Sequence, residues 1–490
     1  MLETAVPTIE DQVSVMTELR PLDAGFIELE DSDRHVSLGI AAVAILSGTP
    51  PAHTEFVAAL ADRVAANDRL RQRMRRAPLD LTAPVWEDDP NFDLAHHIRW
   101  CALPAPADEP ALREFVATEL IERLDRDHPL WECVVVDHLA GERWAMILKV
   151  HHSLADGISG VTLFESLCDD WASHEPAEPD SGTADRRGRF DWAVTALRLP
   201  VDVPRYAVGM VRSLAPLAAA LVSAPAASSL NGPIGRQRRY AIARASLTEI
   251  REIGREFDAT VNDVVLAAVT AAYRTVLLSR GEDPTGNSVR ILVPVSVRTA
   301  DAKAIVDNRV SAVMSLLPLH LEDPVERLTT IHRRMVRHKS SGAAQAEKSL
   351  IALAGRVPFA PVAWSLRLWS RLPQRGVTAV ATNIPGPRRA LRMLGRDVLE
   401  LLPAVPIAMR LRTGIAILSY GDQLAFGITG DYDTTADLEV LADGIQDAIA
   451  DLLATVRAGS QRRAESGLSA EEPRRPTDSQ RRTDSQSPVG

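Results

Sequence analysis

The sequence predicts an α/β fold built as two mixed halves, and three observations lead there. At 490 residues the chain has room for two sizeable domains plus tails. Its first ~170 residues alternate strand-like and helix-like patterns, as a mixed layer requires. A polar stretch with Pro and Gly follows over 175–189, and a second block with its own helices and strands starts near Arg239. The apolar share of 46% supports well-filled cores; with aromatics at 4%, Leu, Val, Ile and Ala must fill them.

The elements follow in order. His35 to Leu46 is nearly all apolar and reads as a strand, and Thr54 to Ala66 as an amphipathic helix. Ala111 to Leu124 predicts another helix. Trp131 to Asp137 is a strand before a turn, and Trp144 to Val150 is the next strand, closing on a β-branched residue. Ser159 to Leu167 looks helical. Residues 175–238 then form a linker or crossover that ends near Asn231-Gly232-Pro233. Within it, Ser213 to Gly235 carries no charge and matches the ~20 residues of a bilayer span. Pro216, Pro225, Pro233 and many Ala and Ser residues make it a poor spanning helix, so a linker with a short apolar helix is expected.

In the second block, Leu247 to Phe257 and Val261 to Leu278 predict helices, with Thr260-Val261-Asn262-Asp263 as a capped start. Val289 to Val297 predicts a strand that ends in Arg298. Further strands are expected at Val377 to Ala381, Gly414 to Tyr420 and Gln423 to Thr429, and a terminal helix at Leu438 to Leu453. From Arg457 the chain turns polar and aperiodic, with Thr-Asp-Ser-Gln occurring twice. The expected division is therefore 1–174, a linker at 175–238, a second half at 239–456, and a disordered tail at 457–490.

The chemistry concentrates in Val150-His151-His152-Ser153-Leu154-Ala155-Asp156-Gly157. Two adjacent histidines sit at a strand exit, where side chains are held firmly yet face a cavity. An unperturbed imidazole titrates near pH 6.5, about right for a neutral base at working pH. Asp156, four residues beyond His152, suits fixing the local backbone or holding an arginine, rather than taking protons. Gly157 allows a tight turn or a close backbone approach. The chain has no Gly-x-Ser-x-Gly elbow for an enzyme nucleophile, and no His-Glu-x-x-His or Cys cluster for a metal. A second pair, His96-His97, lacks the following Asp-Gly and reads as structural or as part of a tunnel wall.

Composition narrows the classes. A formal net charge of −10, from 55 basic and 65 acidic residues, argues against a nucleic-acid binder. Cys101, Cys133 and Cys168 are widely spaced and read as buried thiols of a reducing compartment. The N-terminus, Met1-Leu2-Glu3-Thr4, carries acid early and is no secretory signal, so a cytoplasmic location is expected. Leu350 to Leu372 interleaves Trp364 and Trp369 with Arg367 and Arg371. That pattern fits a helix resting on a membrane or lipid-droplet surface as well as a core-facing helix with a basic edge.

An ordered set of motifs resembles the bacterial wax ester synthase/acyl-CoA:diacylglycerol acyltransferase family. It begins with Leu22-Asp23, Phe92-Asp93-Leu94-Ala95-His96-His97 and Pro129-Leu130-Trp131-Glu132, and includes the histidine motif. Val261-Asn262-Asp263-Val264, Pro294-Val295-Ser296-Val297-Arg298, Asn308-Arg309-Val310, Asn383-Ile384-Pro385-Gly386-Pro387 and Ser419-Tyr420-Gly421 follow, covering roughly 15–455. The resemblance implies two chloramphenicol acetyltransferase-like halves meeting at an active-site tunnel, with acyl-CoA entering one mouth and the acceptor the other. It places the general base at His152, with His151 supporting it and Asp156 structural, paired with an arginine for which Arg298 is the candidate. Asn262 and Asp263 match a second motif near the site, whereas Pro129-Leu130-Trp131 is expected to pack rather than react. Ser296 and Asn383 are candidate oxyanion donors.

The expected reaction transfers a long-chain acyl group from acyl-CoA, a co-substrate with no further cofactor, to diacylglycerol, or to a long-chain alcohol as a wax ester. A condensation-type enzyme with a carrier-bound donor is one alternative, and a non-catalytic lipid-binding protein is another. The absence of an attached carrier domain weighs against the first, and the intact His151, His152, Asp156 and Gly157 against the second.

Overall fold

The longest apolar runs become strands covered on both faces. Val134, Val135 and Val136 on one strand, and Ala145 to Leu148 on its hairpin partner, are all buried. Gly141 makes the turn between them at φ 84°, in the left-handed region that favours glycine.

The computed structural model describes residues 17–80, 82–169, 228–284, 289–296, 310–340 and 376–465. The first half contains β1 (Thr17–Glu18), α1 (Pro21–Ser32), β2 (Gly39–Ser47), α2 (His53–Ala65), β3 (Gln72–Arg75), β4 (Val85–Asp88) and β5 (Ile98–Cys101). It continues with α3 (Glu109–Glu119), β6 (Trp131–Leu139), β7 (Arg143–His151) and α4 (Gly157–Ser166). The second half has β8 (Arg238–Ser246), α5 (Leu247–Glu256), α6 (Val261–Ser279), β9 (Arg290–Ser296), β10 (Val310–Leu316) and α7 (Pro324–Ser340). It ends with β11 (Ala379–Ile384), β12 (Arg392–Met393), β13 (Arg396–Ala404), β14 (Thr413–Tyr420), β15 (Gln423–Asp431) and α8 (Leu438–Glu465).

Two six-stranded mixed sheets result, ordered β12-β13-β2-β7-β6-β5 and β10-β9-β11-β14-β15-β8, with a small sheet β1-β4-β3 beside the first. The expected α/β class is what the structure shows. The second half is not self-contained, however. Its β13 belongs to the first sheet and pairs antiparallel with β2, from Val398 opposite Leu46 to Ala404 opposite Ala41. The reason is the edge of β2, whose polar backbone would otherwise face no partner. Where β13 crosses the second sheet, the Tyr240 hydroxyl donates to the Pro403 carbonyl at 2.8 Å. A Cβ on Gly427 would lie 1.6 Å from that same carbonyl oxygen, so only glycine lets the two sheets approach there.

The helices of the second half bury α6 at the centre of the larger core. Thr260 and Asp263 close a capping box at its start, as the sequence predicts. Among the described residues α6 is also the one helix long and apolar enough to cross a membrane, but 67% of its apolar window is buried inside the protein. It is a core helix. The terminal helix α8 does not stop at Leu453 but runs to Glu465, past the expected start of the tail at 457. Ion pairs to α5, Arg457 to Glu249 at 3.3 Å and Arg463 to Glu256 at 2.6 Å, hold the polar extension that lacks an apolar stripe of its own. Of the expected linker only 228–238 lies within the described residues, and the Trp364 and Trp369 segment lies outside them. All three cysteines are free thiols. Burial pushes Cys133 and Cys168 up to about 12, which leaves both unreactive at neutral pH.

Candidate active site

His151 is the last residue of β7, opposite Gly39 on β2. Beyond it the chain folds back on itself, the Leu154 N–H donating to the His151 carbonyl at 2.8 Å. Asp156 then caps α4, its Oδ1 accepting the Ser159 N–H at 2.8 Å. Asp156 is buried, and its carboxylate fixes the backbone, one of the two roles the sequence suggests. Arg298, the candidate partner, lies outside the described residues.

The strand-to-helix turn brings the halves together at Gly157. A Cβ there would lie 2.6 Å from Cδ1 of Ile384, the last residue of β11 in the second half. The glycine thus serves a close approach. Asn383 is half-buried one residue before Ile384. Because β9 and β11 run parallel, Ser296 at the end of β9 closes on the same sheet edge. Gly386, two residues past Ile384, donates its N–H to Ser419 Oγ at 3.0 Å and ties that edge to β14.

The two histidines are set differently. His151 is buried, and its Nδ1 accepts the Ser153 N–H at 3.0 Å. The Ser153 hydroxyl sits 2.7 Å from the same nitrogen. These contacts assign the ring proton to Nε2, which lies 3.5 Å from Glu30 Oε2 on α1. Glu30 is buried; its other oxygen accepts the Leu38 N–H at 2.8 Å, and Arg126 reaches Oε2 at 2.5 Å. Burial pushes the Glu30 carboxyl up, but the contacts with His151, Arg126 and the Leu38 amide outweigh it and hold the group well below its ordinary range.

His152 is half-buried and points elsewhere. Its ring stacks on Phe26 of α1, centroids 4.1 Å apart and planes 24° apart. Its backbone N–H donates to the Leu38 carbonyl at 2.9 Å. Burial lowers the His152 pKa, against the opposing charge of Asp156, which favours the uncharged ring at neutral pH. The two rings are thus held by different side chains of α1, His151 beside Glu30 and His152 against Phe26.

The other motif residues are placed as follows. His97 is buried, donates from Nδ1 to the Trp131 carbonyl at 2.8 Å and stacks on the indole at 4.5 Å. Trp131 is itself buried, its indole N–H donating to the Leu70 carbonyl at 2.8 Å. The Leu130 carbonyl accepts the His151 N–H at 3.0 Å, so Pro129-Leu130-Trp131 packs and braces the strand end. Asn262 and Asp263 open the helix α6. Asp263 accepts from Thr260 and contacts His332 Nδ1 on α7 at 2.9 Å, so its carboxylate is occupied in helix capping. None of these partners belongs to the histidine loop. Asn262 is half-buried in the first turn of the same helix.

Glu30, Phe26 and the helical character of α1 escape the sequence reading, which picks out only Leu22-Asp23 there. The signals were present: Pro21 at the helix start, Asp23 in the first turn, and a Phe26/Glu30 spacing that puts both side chains on one face. Glu30 among the acidic residues Glu28 and Asp31 looks like a solvated charge run, which hides it.

Known proteins match this arrangement. Residues 19–265 match the wax ester synthase/diacylglycerol acyltransferase catalytic domain, and residues 306–453 match the C-terminal domain of the same family. The probable diacylglycerol O-acyltransferase of Mycobacterium tuberculosis is 46% identical over 93% of this chain and 99% of its own length. Among solved structures, the wax ester synthase/diacylglycerol acyltransferase of Marinobacter aquaeolei aligns with a TM-score of 0.63 and 27% identity, covering 90% of this chain and all of that one. A starter condensation domain of rhizomide synthetase, solved with C8-CoA, shares the fold at a TM-score of 0.55 and 16% identity, over 90% of this chain and 95% of its own. On this combination of sequence match and shared architecture, the chain belongs to the wax ester synthase/diacylglycerol acyltransferase family.

Proposed function

We propose that this acyltransferase esterifies diacylglycerol with long-chain acyl-CoA, with His152 as general base. The observation that carries the reading is the turn itself: it opens on His152, whose ring stacks on Phe26 and is kept uncharged by burial, and it closes on Gly157 against Ile384 of the other half. The ring takes the proton of the acceptor hydroxyl as its oxygen attacks the thioester carbonyl. The tetrahedral oxyanion collapses and breaks the C–S bond, and the imidazolium returns the proton to the departing thiolate. Products are the ester and free CoA. The thioester is already activated, so neither an enzyme nucleophile nor a further cofactor is needed.

General-base action supplies roughly 10²–10⁴-fold, so alignment of the two substrates and hydrogen bonds to the oxyanion supply the rest. Asn383 is the donor candidate favoured by its place beside Ile384. Because diacylglycerol partitions into lipid, we also propose peripheral contact with a membrane or lipid-droplet surface on its cytoplasmic side.

The test is purified protein with palmitoyl-CoA and either diacylglycerol or hexadecanol, following free CoA and the lipid product. Triacylglycerol formed in preference to wax ester is expected. A preference for hexadecanol would make the chain a wax ester synthase by the same chemistry. Bound acyl-CoA with no turnover would overturn the proposal in favour of a lipid-binding role.

A further inference from the structure

Two contacts made by α1 converge on the histidine pair from one helix face. Phe26 and Glu30 are four residues apart, so their side chains project together. Phe26 covers the His152 ring, while the Glu30 carboxylate reaches His151 Nε2 and the Leu38 N–H. Leu38 links the two: its N–H is held by Glu30, and its carbonyl receives the His152 N–H. Three arginines anchor this helix from outside. Arg76 pairs with Glu28 and Asp31, Arg126 with Glu30 and Asp31, and Arg123 donates to the Glu30 and Asp33 carbonyls. Burying a carboxylate carries a desolvation penalty that its partners must offset, so a glutamate at this position calls for a role that an apolar residue would not fill.

We propose that α1 sets the geometry of the base: Glu30 is a positioning residue that acts on His152 through His151 and Leu38, and Phe26 fixes the plane of the His152 ring and keeps water from it. The inference rests on the reading of His152 as the base. The Glu30 carboxylate accepts on both oxygens at once. A glutamine must present an amide N–H₂ to the Leu38 N–H, or to Arg126 and His151, and donor then faces donor. Phe26 has a separate consequence. Removing its ring opens His152 to solvent and relieves the burial that now lowers its pKa.

The experiment measures kcat, the KM for palmitoyl-CoA, and the pH dependence of kcat for the wild type, Glu30→Gln, Phe26→Ala and His152→Ala. Glu30→Gln is expected to lower kcat about tenfold with KM unchanged, as small misplacements of a reacting group do. Phe26→Ala is expected to move the acid limb of kcat upward, toward the ordinary histidine value of about 6.5. A merely structural role would alter thermal stability and leave that limb in place. If both α1 variants fold and keep wild-type kcat and acid limb while His152→Ala is inactive, the positioning role fails and the general-base reading stands. If His152→Ala keeps wild-type turnover, the general-base reading itself fails.

Discussion

His152→Ala is expected to lose roughly 10²–10⁴-fold in kcat while still binding acyl-CoA, the range that general-base catalysis spans. The His152 ring lies against Phe26 rather than in the core and forms part of no strand, so its removal leaves the β7 pairing and the α4 cap intact. Residual turnover above the uncatalysed rate is expected, because substrate alignment and oxyanion stabilisation survive the change. His151→Ala would fail differently. That ring is buried, and its loss leaves the Glu30 carboxylate and the Ser153 amide without their shared partner, so stability falls along with activity. Turnover by folded, acyl-CoA-binding His152→Ala protein equal to the wild type would remove His152 from the reaction.

The largest structural effect is expected at Gly427. An alanine methyl would overlap the Pro403 carbonyl oxygen of β13 and crowd the Tyr240 hydroxyl, both built into the seam between the sheets. Neither neighbour is the end of a flexible side chain: one is backbone paired in the first sheet, Pro403 opposite Ala42. Overpacking typically costs about 1–3 kcal/mol, and an unyielding backbone places this site at or above the top of that range. A natural control lies at Gly160, inside α4, where a Cβ meets only Ile40 at an ordinary 3.7 Å. Gly160→Ala is expected to be neutral or to stabilise by up to about 1 kcal/mol, the usual helix preference. Thermal melting of the two variants beside the wild type decides it: equal melting temperatures for Gly427→Ala and the wild type would show that the sheets do not meet as described.

How far these features were legible follows from their physics. The β6–β7 hairpin and the helices α5 and α6 were readable because apolar runs and the Thr260–Asp263 cap are local signals. The strand β13 was not. It carries Arg396, Asp397, Glu400 and Pro403, and its place beside β2 rests on a partner more than three hundred residues away in sequence. The extension of α8 past Arg457 was hidden because it is held by ion pairs with α5, which composition reads as a polar tail. At the site, His152, Asp156 and Gly157 were found because they sit together in one motif, and each has a contact that explains its type. Glu30 and Phe26 come from a helix over a hundred residues earlier, and only folding places them against the histidines. Asn262 and Asp263 show the converse: a recognisable pair whose aspartate is engaged by a helix cap.

If a neutral, half-buried His152 removes the acceptor proton, the pH dependence of kcat at saturating palmitoyl-CoA and diacylglycerol shows it. Burial favours the uncharged ring, so the base stays available below the ordinary histidine value and is lost only as pH falls through its lowered pKa. The expected result is a single-proton acid limb with its midpoint below about 6.5, missing from the residual activity of His152→Ala. A midpoint well above that value, or the same limb persisting in His152→Ala, would contradict it.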